Sequence, residues 1–280
     1  MRQLQIEQPP MRGTDVSDWQ TFLIKQGTLA DPADGVFGPD TAAASRAYQT
    51  KIGVGADGVI GPFTLARAIE GGFTSSSGPL TAGMDTDANC TTFAAAIAAA
   101  GIKFVVRYYS RSTLKVLTAG EAAALCKAGL QLMTVYEDDD ELASLTAVSG
   151  PVHAQTALAQ AAAVKQPKGS AIYFAVDLDP TADDVNGQVM EYFHAVHTVM
   201  AGSAYKTGIY GSGLTCRLIR DAGFAKFTWL SQSTGFQEYQ AFLPQADVVQ
   251  AAPSRDLVPQ RLNIDDDIAQ SSAFGAFQVG

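Results

Sequence analysis

Ala171-Ile172-Tyr173-Phe174-Ala175-Val176-Asp177-Leu178-Asp179 is the stretch on which the fold reading turns. It is a β-rich apolar run that ends in acids. Comparable runs at 81–85, 103–109, 130–136, 207–210, 227–231, 246–250 and 262–265 join 171–177 to make eight predicted strands. Ala-rich helical stretches at 93–100, 119–128, 153–164 and 185–200 separate the early ones, the signature of βα units feeding a parallel sheet. Eight such strands predict a closed barrel. The later connections are short, so the fold class is an α/β chain with an irregular TIM-like (β/α)8 barrel.

Ahead of the barrel the chain repeats itself. Asp34-Gly35-Val36-Phe37-Gly38-Pro39-Asp40-Thr41 recurs as Asp57-Gly58-Val59-Ile60-Gly61-Pro62-Phe63-Thr64. In each copy Asp-Gly supplies a tight turn, the apolar pair tucks inward, and Gly-Pro-x-Thr leads into a helix with Thr41 or Thr64 as the expected capping hydroxyl. Val16, Trp19, Phe22 and Leu23 recur at helical spacing, as do Ala44, Ala47 and Tyr48, which predicts a small three-helix domain over 1–72. Thr74-Ser75-Ser76-Ser77-Gly78-Pro79 has no hydrophobic period, so 73–80 reads as a flexible linker between independently folding halves, with the barrel over 81–280.

The balance of 19 basic and 28 acidic residues, net charge -9, opposes binding to a polyanion, so nucleic acid is excluded as a partner. No apolar stretch is long enough to insert into a membrane. Cys90, Cys126 and Cys216 form no Cys-x-x-Cys pair and read as reduced structural thiols. Met1 to Pro10 carries polar Gln, Glu and Pro where a signal peptide needs an apolar core, so no export by such a signal is expected. A monomer is expected.

In a barrel of this kind the site lies at the C-terminal ends of the strands, and what stands there is acidic. The runs end at Asp85, at Glu137, at Asp177 with Asp179, and at Asp265; the others end in Tyr108, Tyr210, Trp229 with Ser231, and Gln250. Carboxylates ringed by aromatic and amide groups suit a sugar. Crowding in a low-dielectric pocket raises at least one carboxyl pKa, which leaves an acid and a base together at neutral pH for glycosidic cleavage. If the strand continues through Asp177-Leu178-Asp179, both acids share a face with Cα atoms about 6.6 to 7 Å apart. An acid closing a strand can equally cap the next helix. The runs Glu137 to Glu141 and Asp265 to Asp267 could alternatively bind a cation, while His194 and His197 lack the Glu-x-x-His context of a zinc protease. No metal or organic cofactor is implied.

Two resemblances follow from these residues. The doubled Asp-Gly-x-φ-Gly-Pro-x-Thr pattern, with Trp19-Gln20 before it and Tyr48-Gln49 between the copies, resembles the peptidoglycan-binding domain appended to many cell-wall hydrolases. From Gly83-Met84-Asp85 to Phe274-Gly275 the chain resembles the glycoside-hydrolase-like domain once catalogued as domain of unknown function 1906. The runs that carry it include Phe104 to Tyr109, Leu117 to Ala122, Val135-Tyr136-Glu137, Ile172 to Asp179 and Gly208 to Gly213. That group is similar to the glycoside hydrolase family 25 lysozymes. The resemblance implies supporting acids at Asp85, Asp177 and Asp265, Gln250 on the floor, and Asp179 in the position of the proton-donating glutamate, one methylene shorter, with Glu137 as its rival. Tyr108, Tyr210 and Trp229 would help to bind the sugar.

Together these imply an N-acetylmuramidase of the endolysin kind, a hydrolase of the β-1,4 bond between N-acetylmuramic acid and N-acetylglucosamine, with cell-wall peptidoglycan as partner. A binding module without a signal peptide resembles a phage endolysin made in the host cytoplasm and released to the wall through a holin pore. In family 25 the sugar's own 2-acetamido group is thought to assist. The alternative is a non-catalytic glycan-binding barrel that kept the groove and lost the acid. An amidase is disfavoured by the missing zinc or Cys/His set.

Overall fold

The structure is a computed structural model that describes residues 1–257 and 261–280. Three helices open the chain: α1 (Thr14–Lys25), α2 (Pro39–Lys51) and α3 (Pro62–Glu70). Their core is aromatic, with the rings of Trp19, Phe22, Tyr48 and Phe73 meeting at centroid distances of 5.1 to 5.7 Å. The repeat works as two identical clamps. Gln20 reaches from α1 into the first turn, where its amide group donates to Asp34 Oδ1 (2.8 Å), the Val36 carbonyl (3.1 Å) and Thr41 Oγ1 (2.9 Å), and its oxygen accepts from Gly35 N–H (2.8 Å). Gln49 makes the same four bonds from α2 to Asp57, Val59, Thr64 and Gly58. Gly35 and Gly58 adopt φ of 70° and 80°, which a side chain would resist. Thr41 and Thr64 are therefore not the caps expected from the sequence. Gly38 and Gly61 hold the N-cap positions ahead of Pro39 and Pro62, and the threonine hydroxyls serve the glutamine clamps.

The connector also differs from expectation. Phe73 belongs to the core of the helical module, and Asp18 Oδ2 accepts from Ser76 N (2.8 Å) and Ser76 Oγ (2.9 Å), so the run from 73 to 80 is fastened rather than free.

The barrel strands are β1 (Thr81–Asp85), β2 (Phe104–Tyr109), β3 (Gln131–Tyr136), β4 (Ala171–Ala175), β5 (Lys206–Gly211), β6 (Phe227–Leu230), β7 (Val248–Leu257) and β8 (Leu262–Ala269). They close in sequence order. Helices α4 (Ala94–Ala99), α5 (Ala119–Lys127), α6 (Ser149–Ala163), α7 (Ala182–Asp184), α8 (Met190–Met200), α9 (Gly213–Asp221) and α10 (Tyr239–Phe242) lie between successive strands from β1 to β7. Strands β1 to β7 pair in parallel, but β8 runs antiparallel to both β7 and β1, which corrects the all-parallel expectation. The reason is length. Residues 258–261 are too few for the crossover that a parallel return requires. The C-terminal tail closes the opposite end: Phe274 packs on Phe104 at 4.9 Å, and the Tyr173 hydroxyl donates to the Phe274 carbonyl at 2.8 Å.

The reversed strand leaves the outer wall of β7, β8 and β1 without a helix of its own, and the helical module fills that place. Ile268, 1% exposed, points out from β8 into the same apolar cluster as Leu4, Val16 and Trp19. Beside it Arg255 holds Asp266 through a forked pair (2.7 to 3.0 Å) and Glu70 of α3 at 2.7 Å. Independent folding of the two halves, as read from the sequence, meets this shared core.

Replacing Ile268 by Asp in the full chain is expected to remove about 2 kcal/mol or more of apolar burial. Thermal unfolding should show a fall of about 4 to 8 °C for a unit of this size. Residues 80–280 alone should also melt below the full chain. A separated barrel with the melting temperature of the full chain would mean that the seam contributes nothing.

Candidate functional site

The floor of the barrel mouth is built from residues at the strand ends. Asp85 closes β1, 3% exposed, and its oxygens accept from Tyr108 Oη (3.1 Å) and Gln250 Nε2 (2.8 Å). Burial first, and the charge of Asp265 second, push the Asp85 carboxyl up to about 7. Two positions earlier Gly83 is required, because a Cβ there would lie 2.2 Å from the Phe104 ring that fills the barrel below. Gln250 is the hub of the floor. Its amide group also reaches Asp265 Oδ2 at 3.3 Å, and its oxygen accepts from Tyr210 Oη at 2.8 Å. The Tyr210 hydroxyl lies within reach of two further oxygens, Ser231 Oγ (3.2 Å) and Asp177 Oδ1 (3.3 Å).

Around this floor the walls carry more charge. Glu137, just past β3, is ion-paired with Lys115 at 2.5 Å, and the Lys115 ammonium lies 4.9 Å from the centre of the Tyr108 ring. Lys115 reaches the mouth on a loop anchored by Arg107, a fully buried side chain that pairs with equally buried Glu121 at 2.8 Å and donates to the Lys115 carbonyl at 3.2 Å. Asp177 stands at the rim, open to solvent on one side. The dense wall behind it, followed by the charge of Glu137, raises its pKa above the ordinary carboxyl value. The cavity enclosed is about 450 Å³, lined by Asp85, Asp87, Glu137, Asp177 and Asp265, with Lys115 the single cation among the described lining residues. Among the described residues no group of three or more His, Cys, Asp or Glu side chains could hold a metal ion.

Eight of the nine residues singled out from the sequence line this cavity: Asp85, Tyr108, Glu137, Asp177, Tyr210, Trp229, Gln250 and Asp265. Asp179 does not. Strand β4 ends at Ala175, so the alternation that would have set Asp177 and Asp179 on one face stops before either, and the Asp179 carboxylate instead accepts from the Gln237 backbone N–H at 2.9 Å. Asp265 also arrives differently from expectation. It does not end its strand but stands opposite Asp85 in the antiparallel register, carried to the mouth by the leading half of β8. The acids following Glu137 are structural where they are buried, since Asp138 binds Ser110, Arg111 and Tyr136. His194 and His197 pack on Phe224, both at 5.5 Å.

Three charged residues, Asp87, Lys115 and Asp267, escaped the sequence reading of the site. Lys115 lies in an irregular loop with no periodic signal. Asp267 had one: it is two positions beyond Asp265, hence on the same face if the strand is allowed to continue. It is fully buried, accepts from Trp229 Nε1 at 2.8 Å, and its pKa is pushed well up by burial and then by the charge of Asp85.

Comparison with known proteins agrees with both halves. Residues 12–67 match the peptidoglycan binding domain family PG_binding_1, and residues 95–269 match the Rv2525c-like, glycoside hydrolase-like domain family. The uncharacterized protein FadG of Bacillus subtilis is 27% identical over 245 residues, which cover 83% of this chain and 42% of FadG. The uncharacterized protein YbfG of the same organism is 28% identical over 239 residues, 78% of this chain and 32% of YbfG. The chain thus spans less than half the length of these relatives. Among solved structures, the Tat-secreted protein Rv2525c of Mycobacterium tuberculosis in complex with L-tartrate superposes with a TM-score of 0.61 at 21% identity, over 72% of this chain and 99% of that one. With more than half of its residues matched by one family, from the second strand to the last, the chain belongs to the Rv2525c-like, glycoside hydrolase-like domain family.

Proposed function

We propose that the protein is a peptidoglycan hydrolase that cleaves the β-1,4 bond between N-acetylmuramic acid and N-acetylglucosamine. The observation that carries this reading is the meeting of five carboxyl groups with Tyr108, Tyr210 and Trp229 in one cavity, two of those acids, Asp85 and Asp177, held above the ordinary carboxyl pKa. A glycosidase needs a protonated carboxyl beside a charged one. Asp177 fits the first role. It is at the rim, its carboxylate is approached among the described residues by the Tyr210 hydroxyl at 3.3 Å, and its pKa is raised above the ordinary carboxyl value, the direction a proton donor requires. Glu137, paired with Lys115, is the anionic partner that faces the developing positive charge or orients the 2-acetamido group. Asp85, Gln250 and Asp265 hold the floor. The helical module at the seam, which belongs to a peptidoglycan-binding family by its residues 12–67, would keep the barrel on its polymer.

One observation favours a second reading. The acid at the position of the family 25 proton donor, Asp179, is turned onto Gln237 outside the cavity, as in a barrel that binds glycan without cutting it.

Digesting purified peptidoglycan, reducing the products and identifying the new ends separates the two. Muramic reducing ends are expected; saturable binding without new ends would establish the non-catalytic reading. In an active protein, Asp177→Asn should lower turnover at least about a hundredfold, the scale of losing general acid catalysis, while Asp179→Asn should cost less than about fivefold. Equal effects from the two would remove Asp177 from the donor role.

Asp85 gives a pH signature independent of turnover. The unfolded carboxyl releases its proton near 3.8 and the folded one near 7, so its contribution to stability is complete below the first value and is lost as pH rises through the second. Asp85→Asn, which imitates the neutral acid, should therefore stabilise the protein relative to wild type at pH 8 and change little at pH 4, read as the difference in urea midpoints. An equal difference at the two pH values would show that Asp85 is not titrating in this window.

A further inference from the structure

A fully buried acid with no role so far is Asp267. It has no exposed surface; one carboxyl oxygen holds the Trp229 indole N–H at 2.8 Å, and the other, Oδ2, is buried without a hydrogen-bond partner among the described residues. Such an orphan oxygen is costly, and a side chain needed only for packing could be apolar at this place without it. What the other oxygen holds is informative. The Trp229 ring lines the cavity and lies against Tyr210 with centroids 4.5 Å apart, and the Tyr210 hydroxyl donates to Gln250 and faces Asp177. From Asp267 to the cavity rim there is thus a continuous series of direct contacts.

We propose that Asp267 is a positioning residue: from inside the barrel its carboxyl fixes the Trp229 indole, and through the contact of Trp229 with Tyr210 it sets the hydroxyl that holds Gln250 and orients Asp177. The proposal rests on the reading of this cavity as a glycan site. It acts through the indole hydrogen bond and not through charge, since burial favours the neutral acid. An amide at this position keeps an acceptor for the indole N–H and no ionisable group. A leucine, of the same branched shape though bulkier, removes the acceptor.

The test compares Asp267→Asn with Asp267→Leu in the full chain. Asn is expected to stay within about threefold of wild type in peptidoglycan turnover, and Leu to lose about tenfold or more, mainly in kcat, the scale of a buried donor left unpaired. Tryptophan emission supplies a readout that needs no activity: in the Leu variant the Trp229 component should shift and become easier to quench with acrylamide, while in the Asn variant it should not. Trp19 lies in the helical module, hydrogen-bonded to Ser45, and gives a constant background. If wild type proves to bind glycan without cutting it, the same order is expected in calorimetric affinity for a reduced N-acetylglucosaminyl-N-acetylmuramic acid disaccharide, and only the turnover reading fails. Unchanged emission and quenching in the Leu variant would overturn the proposal, as would an Asn variant as impaired as Leu, because the effect would then lie in charge. If the Leu variant does not fold, Asp267→Ser, too short to reach the indole, takes its place with the same expected outcomes.

Discussion

Four residues separate β7 from β8, and that shortage of chain governs both the site and the domain arrangement. A parallel return needs a crossover of a dozen or more residues. With four, the strand can only double back, so its leading end comes to the mouth where every other strand presents its trailing end. Asp265 and Asp267 enter the barrel interior from this reversed strand, opposite Asp85 and Gly83. The same reversal removes the helix that would cover β8, and Ile268 would face water if the helical module did not sit there. One constraint therefore produces an acid-rich interior and a docking surface outside.

The electrostatics of the mouth follow from how each acid is compensated. Glu121 is as buried as any acid at the site, yet it meets Arg107 together with the Cys90 backbone N–H and the Asn89 amide, so its charge is fully answered. Asp85 has only neutral partners, a phenol and an amide, and neighbours of its own sign. Neutral hydrogen bonds do not offset the desolvation of a carboxylate at that depth, and the pKa rises to about 7. The molecule thus holds two kinds of buried acid: one ion-paired, which ties the loops around β1 and β2 into a rigid rim, and one unpaired, which stores protons beside the cavity.

Much of this was legible in the residues. The eight strands were readable because each is a short apolar run bounded by turn or acid signals, and the helical module because its repeat keeps register over both copies. What failed did so for a physical reason each time. The direction of β8 depends on the length of a connection and not on strand composition. Asp179 was placed by strand alternation, a rule that holds only while the strand lasts, and β4 stops at Ala175. Thr41 and Thr64 looked like caps because hydroxyls at helix starts usually are, whereas a glutamine from the preceding helix claims them. Lys115 and the seam around Arg255 are long-range pairings, and no local pattern announces a partner 22 or 185 residues away.

Strand β8 links the two halves through its alternation. Its inward residues face the barrel interior, Asp265 in the cavity and Asp267 behind the Trp229 that lines it, and its outward residues, Asp266 and Ile268, belong to the seam with the helical module. A shift of one residue in its pairing would exchange the faces, sending Ile268 into the polar mouth and Asp265 into the apolar seam. Either placement alone would pin the register, and the two together make slippage costly in both compartments at once. Arg255 adds a third restraint, because its forked grip on Asp266 joins β7 to β8 just where the ladder between them shifts register, between Ala251 and Arg255. The irregular stretch of the hairpin is thereby fixed by an ion pair, and the positions of Asp265 and Asp267 inside the barrel are held from outside it.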